Sequence, residues 1–99
     1  MLDTLTAETF SEQLKTTFRI RLSDSNHIDV ELTEVTPARQ RPRQEQFAIL
    51  FRGPRDTLLA QGTYLLEHDA IGSFDLFLVP VGMDDQGIDY EAVFNRLRK

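Results

Sequence analysis

Glu67-His68-Asp69 places an imidazole between two carboxylates, the composition of a general acid–base site, and Tyr64 adds a hydroxyl three residues before Glu67. The spacing weighs against joint action. The segment reads as a strand, and neighbouring strand residues point to opposite faces, so Glu67 and His68 cannot easily act on one atom. Polar residues also collect where a strand runs into a turn, for purely structural reasons. No serine, threonine or lysine stands in a recognisable nucleophile elbow. The structural reading is therefore preferred. A small ligand-binding roll or enzyme with its site around Tyr64, Glu67 and His68 is the alternative.

Three other groups invite chemistry. His27 lies in a loop far along the chain from His68, and neither histidine has a second ligand at metal spacing, so both read as surface or turn residues. Asp84-Asp85-Gln86-Gly87-Ile88-Asp89 resembles an acidic calcium loop. It lacks the alternate-position oxygens and the closing bidentate glutamate of an EF-hand, and a solvated hairpin turn is the better reading. Arg39, Arg41 and Arg43 form a basic cluster, with Arg52 and Arg55 expected near it in space. Such a cluster suits a phosphate or an acidic partner surface, although a solvated loop that blocks edge pairing gives the same composition. These arginines are the leading candidates for partner binding. No catalytic, cofactor-binding or metal residue is assigned, and no cofactor is expected.

Composition narrows the classes. The 99 residues fit one domain, 1–99, with a single core. Cysteine is absent, which removes disulfides and thiolate metal sites. Sixteen acidic against eleven basic residues leave a net charge of −5, unfavourable for nucleic acid. The start of the chain has no basic n-region, and the longest apolar run, Phe74–Val81, is too short to span a bilayer as a helix. A soluble cytoplasmic protein with no membrane partner is expected.

The elements that hold these residues follow from periodicity. A helix is expected over 4–15, with Thr6 as N-cap, Leu5 and Phe10 as a hydrophobic staple, and Phe10 and Leu14 on one face covering an end of the sheet. From Phe18 the period becomes two, and an antiparallel sheet is expected over 18–97. Its first hairpin is predicted to pair Leu22 with Ile28, Ile20 with Val30 and Phe18 with Leu32. That register sets Arg21 against Asp29 and Arg19 against Glu31. A bulge is expected near Thr33–Glu34, and 37–44 is predicted as a flexible Pro/Arg loop. Glu45–Arg52 reads as an interior strand, apolar on both faces. The next strand is expected to carry Leu58, Ala60, Gly62, Tyr64 and Leu66 on one face. Pro80 requires an edge or a bulge in the strand that follows. Residues 88–97 fit either a helix or a strand, and the strand is preferred because its neighbour needs a partner. Phe47, Phe51, Phe74, Leu76 and Leu78 are the predicted core. The fold class is mainly β (α+β): one short N-terminal helix on a twisted meander of five to six strands, rolled into a half-open barrel.

Three stretches resemble one family: QGTYLLEH at 61–68, the GSFDLFLVPVG of 72–82, and YEAVFN at 90–95. It is a small bacterial family, a domain of unknown function occurring as proteins of about this length. The resemblance implies a β core and transfers no functional residue, because these motifs are glycine, aromatic and aliphatic positions. It also suggests an association with phage-tail-like collar proteins. Residues and resemblance together lead to a non-enzymatic interaction module, an accessory of a phage-tail-like or other multiprotein assembly. Its expected partner is another protein or a second copy of itself.

Overall fold

The computed structural model describes residues 6–36, 39–41 and 44–97, with 39–41, 44–45 and 96–97 described by their backbone. Thr6 opens the helix α1 (Ala7–Ser11), its side chain accepting the Thr9 N–H at 3.1 Å, with Glu8 in the first turn. The helix is shorter than the expected 4–15. After Ser11 the chain turns, Lys15 takes a positive φ of 71°, and its N–H donates to the Leu32 carbonyl at 2.8 Å. That left-handed residue ends the helical path and pins the chain to the sheet. Phe10 is fully buried, whereas Leu14 is 38% exposed and stands outside the core. Leu5, the expected partner in the staple, lies outside the described residues.

Seven strands follow: β1 (Thr17–Ser23), β2 (Asn26–Val35), β3 (Arg39–Arg41), β4 (Gln44–Gly53), β5 (Gly62–His68), β6 (Gly72–Asp84) and β7 (Gly87–Leu97). They form one antiparallel sheet in the order β2-β1-β5-β6-β7-β4-β3, and β2 also pairs with β4. That extra pairing closes β1, β2, β4, β7, β6 and β5 into a six-stranded barrel, the mainly β roll expected from the sequence. β3 continues beside the start of β4 through Arg39↔Gln46 to Arg41↔Gln44, so part of the stretch expected to be a flexible loop is a strand.

The first hairpin departs from expectation by two residues. Phe18 pairs with Val30, Arg19 with Asp29, Ile20 with Ile28 and Arg21 with His27, and Ser23 pairs with Asn26 across a two-residue tip. A two-residue slip preserves faces, so Phe18, Ile20, Val30 and Leu32 remain buried. The five-residue turn read from Ser23–His27 is tighter than expected, with the ladder irregular between Arg21 and Ser23.

Other features match. The ladder of β2 and β4 shifts between Leu32 and Glu34, near the predicted bulge. β4 is interior, paired along its whole length with β7, and the C-terminal segment is a strand. β6 shifts register between Pro80 and Gly82, the irregularity expected at that proline. The predicted strand at Leu58, however, begins only at Gly62. Residues 54–61 form an irregular connection held from within, because the Leu59 N–H donates to the Tyr90 hydroxyl at 3.0 Å and that hydroxyl donates to the Thr57 carbonyl at 3.2 Å. Leu59 is thereby buried and Leu58 left outside.

The interior is filled by side chains. Phe47, Phe51, Phe74, Leu76 and Leu78 are buried as predicted, together with Phe18, Ile49, Leu66 and Tyr90. The ring of Phe10 lies 5.3 Å from that of Phe94 and 5.9 Å from that of Phe74. Those two rings belong to strands that diverge: among the described residues β6 and β7 pair only from Val79↔Glu91 to Asp84↔Gly87. Beyond Val79, β6 follows β5, and beyond Glu91, β7 follows β4. Phe10 is the aromatic that spans the interior between them.

Candidate functional site

The wall formed by β1 and β5 holds the residues that looked catalytic. Alternation along β5 turns Leu66 and His68 inward and Glu67 outward. Outside, Glu67 Oε1 lies 2.9 Å from Arg21 Nε and 3.6 Å from Arg19 Nε, and Arg19 Nη2 reaches Asp69 at 3.1 Å. The arginines thus take their carboxylates from β5 and the turn after it. The Asp29 and Glu31 partners expected within the hairpin are not used. His27 instead approaches Asp29 at 3.5 Å.

Inside, His68 is buried against the Phe18 ring, with centroids 4.3 Å apart. The Ala70 N–H donates to its Nδ1 at 3.0 Å, which assigns the proton to Nε2. Nε2–H then donates to the Thr16 hydroxyl at 2.9 Å, and that hydroxyl donates to the Gln13 carbonyl at 2.6 Å. Burial lowers the His68 pKa from its usual value, Asp69 opposes the shift, and Arg19 adds to it. The imidazole is held neutral as a clamp between the end of β5 and the segment linking α1 to β1. Tyr64 lies four residues along the strand, about 13 Å away at strand rise, and its hydroxyl donates to the Ala60 carbonyl at 2.6 Å. Tyr64, Glu67 and His68 do not converge.

The acidic hairpin at the end of β6 is also internally committed. Asp84 Oδ1 accepts the Gln86 and Gly87 N–H groups at 2.8 and 3.1 Å, while Arg52 reaches Asp84 at 3.3 Å and Asp89 at 3.0 Å. The Gln86 N–H, assisted by Arg52, lowers the Asp84 pKa, and the bond to Asp89 raises that of Arg52. These contacts tie the hairpin to β4. Among the described residues no three His, Cys, Asp or Glu side chains group as a metal shell.

The arginine candidates separate. Arg39 and Arg41 lie on β3 beside Gln44–Gln46, and Arg43 falls outside the described residues. Arg52 pairs near the other end of β4, opposite Glu31 and Asp89, and the exposed Arg55 follows in the turn beyond. Six residues of strand, about 20 Å, separate Arg52 from the β3 pairing. Arg52 and Arg55 therefore do not join Arg39 and Arg41.

Sequence reasoning missed the outer face beside the divergence of β6 and β7. Phe77 is 53% exposed and Val93 57%, with Leu65 and Val81 also outside. The signal was present: Phe74–Val81 is apolar on both faces of one strand, and the inner set, Phe74, Leu76 and Leu78, already fills the barrel side. Asp75 on β6 and Glu91 on β7 share this outer face, and neither forms an ion pair among the described residues.

The model of a domain of unknown function, DUF6916, matches residues 5–94, from just before the helix N-cap through most of β7. The chain belongs to the DUF6916 family. The match spans α1 and all of β1 to β6, so the barrel and its Phe10 plug together form the DUF6916 domain. No curated protein and no solved structure matches this DUF6916 chain. Among the described residues, no helix of the domain is long and apolar enough to cross a membrane.

Proposed function

We propose that this DUF6916 domain is a non-catalytic binding module that associates with another protein or a second copy of itself. The observation that carries this reading is the barrel interior. Its volume is occupied by aromatic and aliphatic side chains, and the histidine that enters it is committed to Thr16 and Ala70. Small-molecule sites are concave and largely preformed, which a packed barrel of this size does not offer. Binding then falls to the exterior, to strand edges and to the arginine-bearing β3–β4 segment, whose guanidinium forks suit carboxylates. The setting proposed is a cytoplasmic multiprotein assembly, with the phage-tail-like type suggested by the sequence resemblance.

Cross-linking in the native cell followed by capture and mass spectrometry tests the reading. A protein partner recovered in stoichiometric amount, or a cross-linked homodimer, is the expected result. Replacing Arg39, Arg41 and Arg43 together by alanine is expected to leave the melting temperature nearly unchanged while weakening capture of an acidic partner. Recovery of a lone monomer, together with a turnover that His68→Ala abolishes, would overturn it.

A further inference from the structure

The divergence of β6 and β7 leaves two strand edges whose chemistry can be read. In an antiparallel ladder, residues facing each other alternate between pairs that exchange both hydrogen bonds and pairs that exchange none. Pro80 has no N–H and sits opposite Tyr90, which makes that the non-bonded pair and Val79↔Glu91 the bonded one. Every second residue from there turns its N–H and C=O to the same edge. On β6 these are Phe77 and Asp75, and on β7 the next is Val93. Their ladder neighbours, Leu76 and Leu78 on β6 and Ala92 and Phe94 on β7, turn instead toward Tyr64 and Gly62 of β5 and Ile49 and Phe47 of β4. Among the described residues no strand pairs with β6 at Asp75 and Phe77, or with β7 at Val93, on this side. An open edge of this kind is a template for another strand.

The side chains around the gap specify that strand further. Phe77 and Val93 offer apolar contact on the outer face, flanked by the carboxylates of Asp75 and Glu91. The basic residues of β1 and β4 are engaged elsewhere, Arg19 and Arg21 with Glu67 and Arg52 with Asp84 and Asp89. The net charge of −5 adds long-range attraction for a cation.

We propose that the open edge between β6 and β7 receives an extended segment of a protein partner whose outward-facing side chains, every second residue, alternate between basic and apolar. The segment pairs its backbone with Val93 and, on its outer face, sets an apolar side chain against Phe77 and Val93, with basic side chains two residues to either side reaching Asp75 and Glu91; the residues between them are small and face the barrel interior. This rests on the binding-module reading above and names the partner's chemistry.

The probe is a fluorescein-labelled peptide of sequence Lys-Ala-Val-Ala-Lys-Ala-Val-Ala, whose lysines and valines share one strand face, titrated against the full chain by anisotropy. Saturable binding that weakens with salt is expected, together with slowed hydrogen exchange at the Val93 amide. The double variant Asp75→Lys/Glu91→Lys is expected to lose at least about tenfold in affinity, about 1.4 kcal/mol. Methylating alternate peptide nitrogens should abolish binding. All the substituted side chains lie on the outer face, and circular dichroism checks that each variant folds. Equal affinity for the same peptide with glutamate in place of lysine, binding without protection of Val93, or no binding at all would overturn the proposal. So would a homodimer in sedimentation that Phe77→Lys dissociates, since the edge would then belong to a second copy. Native partner capture that survives Phe77→Lys/Val93→Lys would overturn this site and leave the binding-module reading standing.

Discussion

Replacing Tyr90 by phenylalanine removes one atom from the centre of the barrel. The ring is fully buried and keeps its packing, so no cavity larger than an oxygen appears. What is lost is the acceptor for the Leu59 N–H at 3.0 Å and the donor to the Thr57 carbonyl at 3.2 Å. The Thr57 carbonyl lies in a part-exposed setting and can turn to water. The Leu59 amide bond is buried and cannot. A buried donor left without a partner costs about 1–3 kcal/mol, and 2 kcal/mol is a fair central figure. With a urea dependence of about 1–3 kcal/mol/M for a small domain, the midpoint should fall by roughly 0.7–2 M. Tyr64→Phe is the internal control. It deletes the same atom from an exposed bond to Ala60, and should change stability by less than about 0.5 kcal/mol. Urea denaturation followed by circular dichroism measures both, and hydrogen exchange at Leu59 locates the effect. A Tyr90→Phe midpoint no lower than that of Tyr64→Phe, with Leu59 exchange unchanged, would refute the claim that this hydroxyl holds the 54–61 connection.

Phe10→Ala removes the one buried residue of α1 and its contacts with four aromatic rings, and should destabilise by about 3–5 kcal/mol; a thermal melt matching the parent would show that the helix is not part of the core. His68 carries a pKa lowered by burial, so its neutral clamp contributes fully above the unfolded value of about 6.5. That contribution is lost as pH falls below 6.5 toward the folded pKa, and His68→Leu should flatten this part of the urea-stability profile between pH 7.5 and 5. A Cβ on Gly87 would meet the Gly53 carbonyl oxygen at 2.5 Å, so Gly87→Ala should force β4 and the β6–β7 tip apart, at a cost of about 1–3 kcal/mol. Glu67→Gln removes the carboxylate shared by Arg19 and Arg21 on a part-exposed wall and should cost no more than about 1 kcal/mol, weakening further with salt.

Faces were more legible in this sequence than partners. Alternation at Phe18, Ile20, Val30 and Leu32 identified the buried side of the first hairpin, because a period of two survives any even slip. Register did not follow, since the matched charges of Arg19, Arg21, Asp29 and Glu31 admitted a pairing within the hairpin. The competing carboxylate, Glu67, sits 46 residues from Arg21. The same non-locality hid the connection at 54–61. Leu58, Ala60 and Gly62 alternate like a strand, and nothing local reveals that a tyrosine hydroxyl from β7 would hold Leu59 there instead. Pro80 was readable because a residue without an N–H confines its strand to an edge, a bulge or a non-bonded position. The exposed Phe77 and Val93 were not, because an apolar residue in an apolar run reads as core until topology shows which face the barrel has already filled.

The hydrogen-bonded ring is thin in two places, and both border the same element. β1 and β5 share only the pairs Arg19↔Glu67 and Ile20↔Leu66, and β6 leaves β7 beyond Val79. Between these seams, β5 and the first half of β6 form a hairpin of seven residue pairs, with its strongest ties to itself. Side chains fasten it to the rest: Glu67 to the arginines of β1, His68 to Thr16, and Phe74 to Phe10. Such an element opens as a cooperative unit below the free energy of global unfolding. Native-state exchange should therefore see the amides of Leu66, Phe74, Leu76 and Leu78 released together, ahead of those joining β4 to β7. The barrel is thus a box with one hinged panel, and one of the catches of that panel is an imidazole that a proton can release.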